Sequence, residues 1–275
     1  MQTPLQSSYT YPITEGGNIF LKTNNFSIKV FPSDSQEISI NIFANSNIPQ
    51  LVIDEYFKAI TEADSLRLSS EFPGRTWGRI EIQLPKGMNV LSLSTDNAKC
   101  EVNDMNVKLL SCSTSNGKIA ITGCCAEEIE ILTDNEKVVL DDVSARSANI
   151  RTSNSKIEIE DSHLDNIDAK TSNASIVLRS SRKGVSLTSN YILNTSNGKI
   201  DVCMAAEEGF EHMVDAHTTM GGIDINLKNL TYAVDKKNVG MQSDVQIKSE
   251  NFDTASNKIS IKANTTNAPI SIANI

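Results

Sequence analysis

The sequence predicts an all-β protein: a single-stranded right-handed β-helix with a β-rich N-terminal cap. Three observations lead to this prediction. One short motif recurs at a constant interval along the middle of the chain. Hydrophobic residues on both sides of the motif alternate with polar ones, as on strands with one buried face. Only 5% of the residues are aromatic, whereas Asn, Ser, Thr and Ile are frequent, which favours strands joined by polar corners.

The repeated motif is Thr-Ser-Asn-Gly-Lys-Ile or a close variant of it. Its leading threonine recurs four times at intervals of 19 residues, and then at intervals of 24 and 23 residues. A fixed period of this length indicates a solenoid, in which each repeat forms one coil. The threonines are Thr95, Thr114, Thr133, Thr152, Thr171, Thr195 and Thr218.

Each period contains three pairs of inward-facing hydrophobic positions, so the sequence predicts coils of about 19 residues with three short faces. Equivalent residues of successive coils are predicted to stack in one parallel sheet, as for Ile119, Val138, Ile157 and Ile176. The three pairs that accompany Thr114 are Leu110 and Cys112, Ile119 and Ile121, and Cys124 and Ala126.

The motif itself is predicted to form a corner of the coil. Inward alternation runs through Leu93, Thr95 and Asn97 and then changes phase before Cys100. Asparagine suits such a corner because it tolerates left-handed backbone conformations. Stacked about 4.8 Å apart, the asparagines predict an internal amide ladder, with the threonines as a second ladder beside it. The asparagines are Asn97, Asn116, Asn135, Asn154, Asn173 and Asn197.

The predicted domains are a β-rich cap over residues 1–85, continuous with the solenoid, and the β-helix over residues 86–275. The cap shows strand patterns without the 19-residue period, as expected of an atypical repeat that covers an open end. An irregular insertion follows Thr218. "KISIKA" and "PISIANI" near the C-terminus are predicted to be neighbouring faces of the final coil.

The segment "IEIQLPKGMNVLSLSTDN", residues 80–97, leads directly into the repeated "TSNGKI" coils. In this order of parts the chain resembles the bacterial "putative adhesin" β-strand-repeat family, the domain of unknown function 4097, over roughly residues 15–275. It is more distantly similar to the head domain of autotransporter adhesins. The resemblance implies a β-helix with an adhesin-like or envelope-associated role, and it supplies no catalytic residues.

Composition excludes some classes of function. The net charge of −9 argues against nucleic-acid binding, and no apolar run reaches the length of a membrane-spanning helix. The five cysteines lack metal-type spacing and are expected to be reduced thiols. The sequence as given begins without a signal-peptide pattern, which favours the cytoplasm; a leader outside it would place the protein at the cell envelope.

The best candidates for acid–base chemistry are four carboxylates at equivalent positions of two successive coils: Asp141, Asp142, Glu160 and Asp161. Stacked carboxylates can bind Ca²⁺ or raise the pKa of one member. The alternative is a solvated corner, which we favour because the neighbouring coils do not continue the acidic pattern.

Histidine, cysteine and lysine offer weaker signals. His163, His212 and His217 lack metalloprotease spacing, and the Cys124–Cys125 pair predicts a corner with one core thiol. A lysine recurs four residues after the threonine, which predicts either a basic stripe for an anionic polymer or a charge-mixed soluble face. We favour the charge-mixed face. The lysines are Lys99, Lys118, Lys137, Lys156 and Lys199.

The sequence therefore predicts a non-enzymatic, adhesin-like binding or scaffold protein with no catalytic, metal or cofactor site. A glycan-active lyase or hydrolase with a site on the side of the β-helix is the alternative. The partner is left open between a glycan, a cell-wall polymer and a protein, with no nucleic acid and no membrane insertion.

Overall fold

A computed structural model describes residues 5–13, 16–45, 50–72, 76–180, 188–205, 209–227, 230, 235–239 and 242–274. Strands dominate these residues and one short helix accompanies them, which confirms the all-β prediction. The chain divides into two compact units, Met1–Glu136 and Lys137–Ile275. The boundary predicted between residues 85 and 86 stays a prediction.

The first unit contains two parallel-rich sheets. Sheet A1 has the strand order β1-β4-β7-β3-β9-β11, and sheet B1 has the order β5-β6-β2-β8-β10-β12. The elements are β1 (Leu5–Pro12), β2 (Asn18–Thr23), β3 (Phe26–Ser33), β4 (Glu37–Ala44), α1 (Gln50–Tyr56), β5 (Phe57–Glu62), β6 (Ser65–Ser70), β7 (Gly78–Pro85), β8 (Met88–Thr95), β9 (Cys100–Asn103), β10 (Asn106–Thr114), β11 (Ile119–Thr122) and β12 (Cys125–Thr133).

The second unit repeats this plan. Sheet A2 has the order β13-β15-β17-β19-β25-β21, and sheet B2 has the order β14-β16-β18-β24-β20-β23-β22. The elements are β13 (Val138–Asp141), β14 (Ser144–Arg151), β15 (Ile157–Glu160), β16 (His163–Lys170), β17 (Ile176–Ser180), β18 (Thr188–Asn194), β19 (Ile200–Met204), β20 (Glu211–Thr218), β21 (Ile223–Asn226), β22 (Asp235–Val239), β23 (Gln242–Lys248), β24 (Lys258–Thr265) and β25 (Ile270–Asn274).

The 19-residue period appears directly as strand register. In sheet B1, Leu110 pairs in parallel with Leu91 on one side and with Ile129 on the other. In sheet A2, Val138, Ile157 and Ile176 pair in parallel, as predicted. All of these side chains are fully buried. The repeated hydrophobic pairs therefore form the core between the two sheets of each unit.

The prediction of three separate faces is wrong, because the described coils contain two strands each, one in either sheet. The residues assigned to the third face begin the long strand of sheet B1. In β10, Val107 and Leu110 are both buried although they lie three residues apart, so the inward phase changes within the strand. Ala145 and Ala148 repeat this in β14. The change of inward phase predicted a corner between two strands. Instead, β10 and β14 each bend and remain paired with the neighbouring strand in one register on both sides of the bend.

Spatial order departs from chain order near both ends. The coil of β24 and β25 lies between the coil of β18 and β19 and the coil of β20 and β21. "KISIKA" and "PISIANI" thus belong to one coil, as predicted, but this coil is not the outermost. In the first unit, the β2–β3 coil likewise lies inside the β6–β7 coil.

Antiparallel strands cover several sheet edges in both units. In the first unit β4 and β1 extend sheet A1 beyond β7, and β5 pairs with β6 at the edge of sheet B1. In the second unit β23 and β22 extend sheet B2 beyond β20. Strands of a different direction end the stacking of parallel coils, as expected for the atypical ends of a solenoid.

Candidate functional site

The threonines of the motif are internal structural ties. Thr114 is buried, and its Oγ1 donates to the carbonyl of Ala98 at 3.3 Å while it accepts the N–H of Gly117 at 3.0 Å. A Cβ at Gly117 would lie 1.7 Å from that carbonyl oxygen, which explains the glycine of the motif. The same threonine geometry recurs at Thr195. These side chains are committed to holding one corner onto the next.

The asparagines form the predicted amide ladders, but on the surface. In the first unit, Asn116 donates from Nδ2 to Oδ1 of Asn97 at 2.8 Å, and Asn135 donates to Asn116 at 2.8 Å. In the second unit, Asn173 donates to Asn154 at 2.7 Å and Asn197 donates to Asn173 at 2.8 Å. All six are exposed, so the prediction of an internal ladder is wrong.

The acidic candidates have a conformational explanation. Asp142 and Asp161 have φ of 54° and 46°, in the left-handed region that aspartate tolerates better than most residues. Asp104 and Gly123 occupy the equivalent corner of the first unit with φ of 53° and 65°. Within the described ranges, no group of three or more His, Cys, Asp or Glu side chains is arranged to hold a metal ion.

Glu160 lies on strand β15 and contacts the guanidinium of Arg179. Its Oε1 lies 3.2 Å from Nη1 of Arg179 on the next strand, and Arg179 also approaches Asp201 at 3.8 Å. Asp141 pairs with Glu160 in the parallel register of β13 and β15. The four acids therefore divide into corner residues and members of a charge-paired sheet face.

The three histidines do not converge. His212 is buried, and burial lowers its pKa below the ordinary value of 6.5. His217 lies on the same strand with the opposite, outward phase, and its Nδ1 contacts Oδ1 of Asp244. His163 lies on β16, with Nε2 at 3.3 Å from Asp165. Each histidine has its own environment and no shared site.

The lysine column is a charge-mixed face, as favoured from the sequence. Lys99 forms an ion pair with Glu101, and Lys199 approaches Asp201 at 3.2 Å. Glu158 receives both Lys137 and Lys156, the latter at 2.5 Å. These two hydrogen bonds lower the pKa of Glu158 below 4.5. Four of the five lysines thus lie beside acids that are two residues or one coil away.

Among the five cysteines, the Cys124–Cys125 pair contains one core thiol, as predicted. All five are free; Cys124 is buried and Cys125 is exposed. Burial raises the pKa of Cys124 to about 11, which makes a thiolate nucleophile unfavourable. Sγ of Cys100 lies 3.8 Å from Sγ of Cys112 in the core of the first unit.

A surface that the sequence analysis missed surrounds the single tryptophan. Trp77 is 57% exposed and directly precedes β7, in which Ile80 and Ile82 face inward. Gly78 shares the inward phase, since a Cβ there would lie 2.5 Å from the ring of Phe26. Alternation therefore places Trp77 and Arg79 on the outer side of sheet A1. The signal in the sequence was a lone tryptophan out of phase with its buried neighbours.

The outer side of sheet A1 next to Trp77 carries a second aromatic ring. Arg79 pairs with Phe43 across β7 and β4, and the Arg79 guanidinium carbon lies 4.5 Å from the ring centroid of Phe43. Nε of Arg79 also lies 2.8 Å from Oε1 of Glu81. We call Phe43, Trp77, Arg79 and Glu81 the aromatic platform. It combines ring faces with planar hydrogen-bonding groups.

These features define a class of protein: an all-β protein of stacked parallel coils, with repeated ladders of polar side chains at the corners. No helix in the part of the chain that the structure describes is long and apolar enough to cross a membrane. Residues 17–265 match the Toastrack DUF4097 family, and the chain belongs to this family. The family resemblance found in the sequence is thereby confirmed.

Solved structures that are similar to this chain include the following two. One is titled a "putative cell adhesion protein" from Clostridium sporogenes, with 12% identity, a TM-score of 0.30, and coverage of 98% of this chain and 99% of that chain. The other is titled a "Putative lipid binding protein" from Parabacteroides distasonis, with 11% identity, a TM-score of 0.35, and coverage of 98% and 96%. No curated protein matches the chain.

Proposed function

We propose that this chain is a non-enzymatic, adhesin-like binding or scaffold protein associated with the cell envelope. The observation that carries the proposal is the aromatic platform, which exposes 57% of Trp77 on the outer side of a sheet. The repeated polar residues, by contrast, are used within the fold: Thr114 in corner hydrogen bonds and Asn116 in a ladder. A frame of stacked coils then serves to present surface side chains to a partner.

Co-sedimentation tests this proposal. The purified chain is mixed with isolated bacterial envelopes, and the amount removed from solution is compared with that for a soluble control protein. Envelopes treated with protease or with periodate separate a protein partner from a glycan or wall polymer. We expect saturable retention that one of the two treatments removes. Equal loss of the chain and of the control protein would contradict the proposal.

Absence of turnover is part of the same proposal. Asp142 and Asp161 are explained by positive φ, and Glu160 by its contact with Arg179, so these acids have structural roles. We expect the purified protein to leave polysaccharide, ester and phosphoester substrates intact. Hydrolysis or lyase activity that disappears in Asp142→Asn or Asp161→Asn would instead support the glycan-active alternative. Asparagine also tolerates positive φ, so both variants are expected to fold.

We further propose that the coils wind as a right-handed β-helix with a 19-residue repeat. β8, β9 and β10 form a parallel crossover, since β8 and β10 pair in parallel while β9 lies in the other sheet. Such crossovers are right-handed in the great majority of known cases. A crystal structure with left-handed coils would contradict this part of the proposal.

A further inference from the structure

Trp77 is the only tryptophan of the chain and the largest side chain that the fold leaves outside its core. Its backbone is fixed, because its carbonyl accepts the N–H of Asn45 at 3.1 Å next to the β4–β7 pairing. The bulky neighbour Phe26 closes the inner side at Gly78. The indole therefore projects from an anchored backbone and keeps its exposed ring available to a ligand.

The surroundings of the ring decide what kind of ligand suits it. Arg79 lies over Phe43 and is paired with Glu81, so the charges of the platform balance locally. Asn41 pairs with Glu81 across the strands and adds an amide to the same row. A guanidinium, a carboxylate and an amide are planar groups that donate or accept paired hydrogen bonds. They lie on the same outer side of sheet A1 as the exposed indole.

We infer that the aromatic platform binds a neutral polysaccharide, with one pyranose ring stacked on Trp77. A pyranose has an apolar face of C–H groups that suits an indole, and hydroxyls at its rim that suit planar donors and acceptors. A lipid surface would favour a broader apolar patch than charged Arg79 and Glu81 leave. A polyanion would be repelled by the net charge of −9. This inference rests on the proposed binding function and names its ligand class.

The single tryptophan makes the test direct, because all indole fluorescence comes from Trp77. The full chain is titrated with soluble β-linked glucan and N-acetylglucosamine oligomers, with a polyuronate as the anionic comparison. We expect a saturable change in emission with at least one neutral oligomer and none with the polyuronate. Absence of any change with every neutral oligomer would overturn the inference.

Variants are compared by affinity electrophoresis in gels that contain the neutral polysaccharide giving the largest emission change. Trp77→Ala is expected to weaken binding about tenfold or more, and Trp77→Phe to weaken it less. Arg79→Lys is expected to weaken it as well, since lysine lacks the planar fork. Leu132→Ala is the matched control, because Leu132 is 56% exposed in the same unit but lies on sheet B1. Circular dichroism establishes that each variant is folded.

The outcomes separate this inference from the proposed function. If envelopes retain the wild type and Trp77→Ala equally, the binding function stands and the platform is not its site. If Trp77 responds to lipid vesicles and to no sugar, the ligand class is wrong. If Leu132→Ala loses as much affinity as Trp77→Ala, the tryptophan has no specific role, and the inference fails. If no envelope retains the chain, the proposed envelope-binding function is contradicted, whatever the fluorescence titration shows.

Discussion

The threonine and the asparagine of one motif lie two residues apart, but the threonine is buried and the asparagine is exposed. Alternation along an unbroken strand would place Thr95 and Asn97 on the same side, and this reasoning predicted an internal amide ladder. The strand ends at Thr95, so Thr95 keeps the inward phase and Asn97 lies exposed in the bend that follows. The spacing of the motif predicts which residues repeat. It does not predict the last residue of each strand, because that residue depends on the backbone turn that follows.

The first prediction compares these two residues in one coil. Asn116→Ala removes two exposed hydrogen bonds, one to Asn97 and one from Asn135, and is expected to lower the free energy of unfolding by about 0.5–1 kcal/mol. Thr114→Val keeps the shape but leaves the Ala98 carbonyl and the Gly117 N–H without their buried partner, at a cost of about 1–3 kcal/mol. Urea unfolding monitored by circular dichroism measures both. A larger loss for Asn116→Ala would mean that the ladder, rather than the threonine, holds the corner.

The second prediction concerns the positive φ of Asp142. Asp142→Val is expected to cost about 1–2 kcal/mol because a β-branched side chain is strained in the left-handed region. Asp142→Gly relieves that strain and is expected to leave stability near the wild-type value. Thermal unfolding of the two variants side by side checks this, with Asp141→Val as the matched neighbour whose φ is not positive. Equal losses for Asp142→Val and Asp142→Gly would contradict the backbone explanation.

Among the elements, the long strands show the limit of hydrophobic periodicity. Val107 and Leu110 are both buried, so β10 contains two inward phases separated by a bend. The pattern identified both positions as inward-facing but assigned them to different faces of the coil. A corner and a bend within a strand produce the same change of phase, and hydrogen-bond register alone distinguishes them.

The third prediction concerns hydrogen exchange of the last coil. β24 is paired in parallel with both β18 and β20, and β25 with both β19 and β21. Amides of 259–264 and 270–273 are therefore expected to exchange as slowly as those of β16, although they lie near the end of the given chain. Native-state exchange followed by mass spectrometry measures this. Faster exchange there than in the edge strand β22 would contradict the inserted position.

At the scale of the whole molecule, stability depends on pH through a few groups in known environments. The sequence alone shows His212 only as a histidine without metalloprotease spacing, and Glu158 only as an acid two residues after Lys156. Their tasks depend on burial and on partners from neighbouring strands: His212 is buried, and Glu158 receives Lys137 and Lys156. The aromatic platform was missed for a related reason, because Phe43 and Arg79 meet across two strands far apart in sequence.

The fourth prediction is a two-stage loss of stability in acid. The pKa of His212 is lowered in the folded state, so the unfolded chain takes up the proton first and stability falls as pH drops below 6.5. The pKa of Glu158 is also lowered, so its contribution is complete above 4.5 and is lost as pH falls through its folded value. Unfolding free energies across this range measure both stages. His212→Gln is expected to flatten the first stage only, and Glu158→Gln the second only.

The inserted position of the β24–β25 coil has a consequence for synthesis on the ribosome. The coil of β20 and β21 emerges from the ribosome before its parallel neighbour, β24 and β25, has been translated. Earlier coils such as β14–β15 and β16–β17 can add to the growing stack in the order in which they are made. From residue 205 onward that order fails, because the β24–β25 segment must enter between two coils that are both translated before it. Adding coils in the order of translation therefore cannot complete the second unit. The unit is completed only when the β24–β25 coil inserts between the β18–β19 and β20–β21 coils.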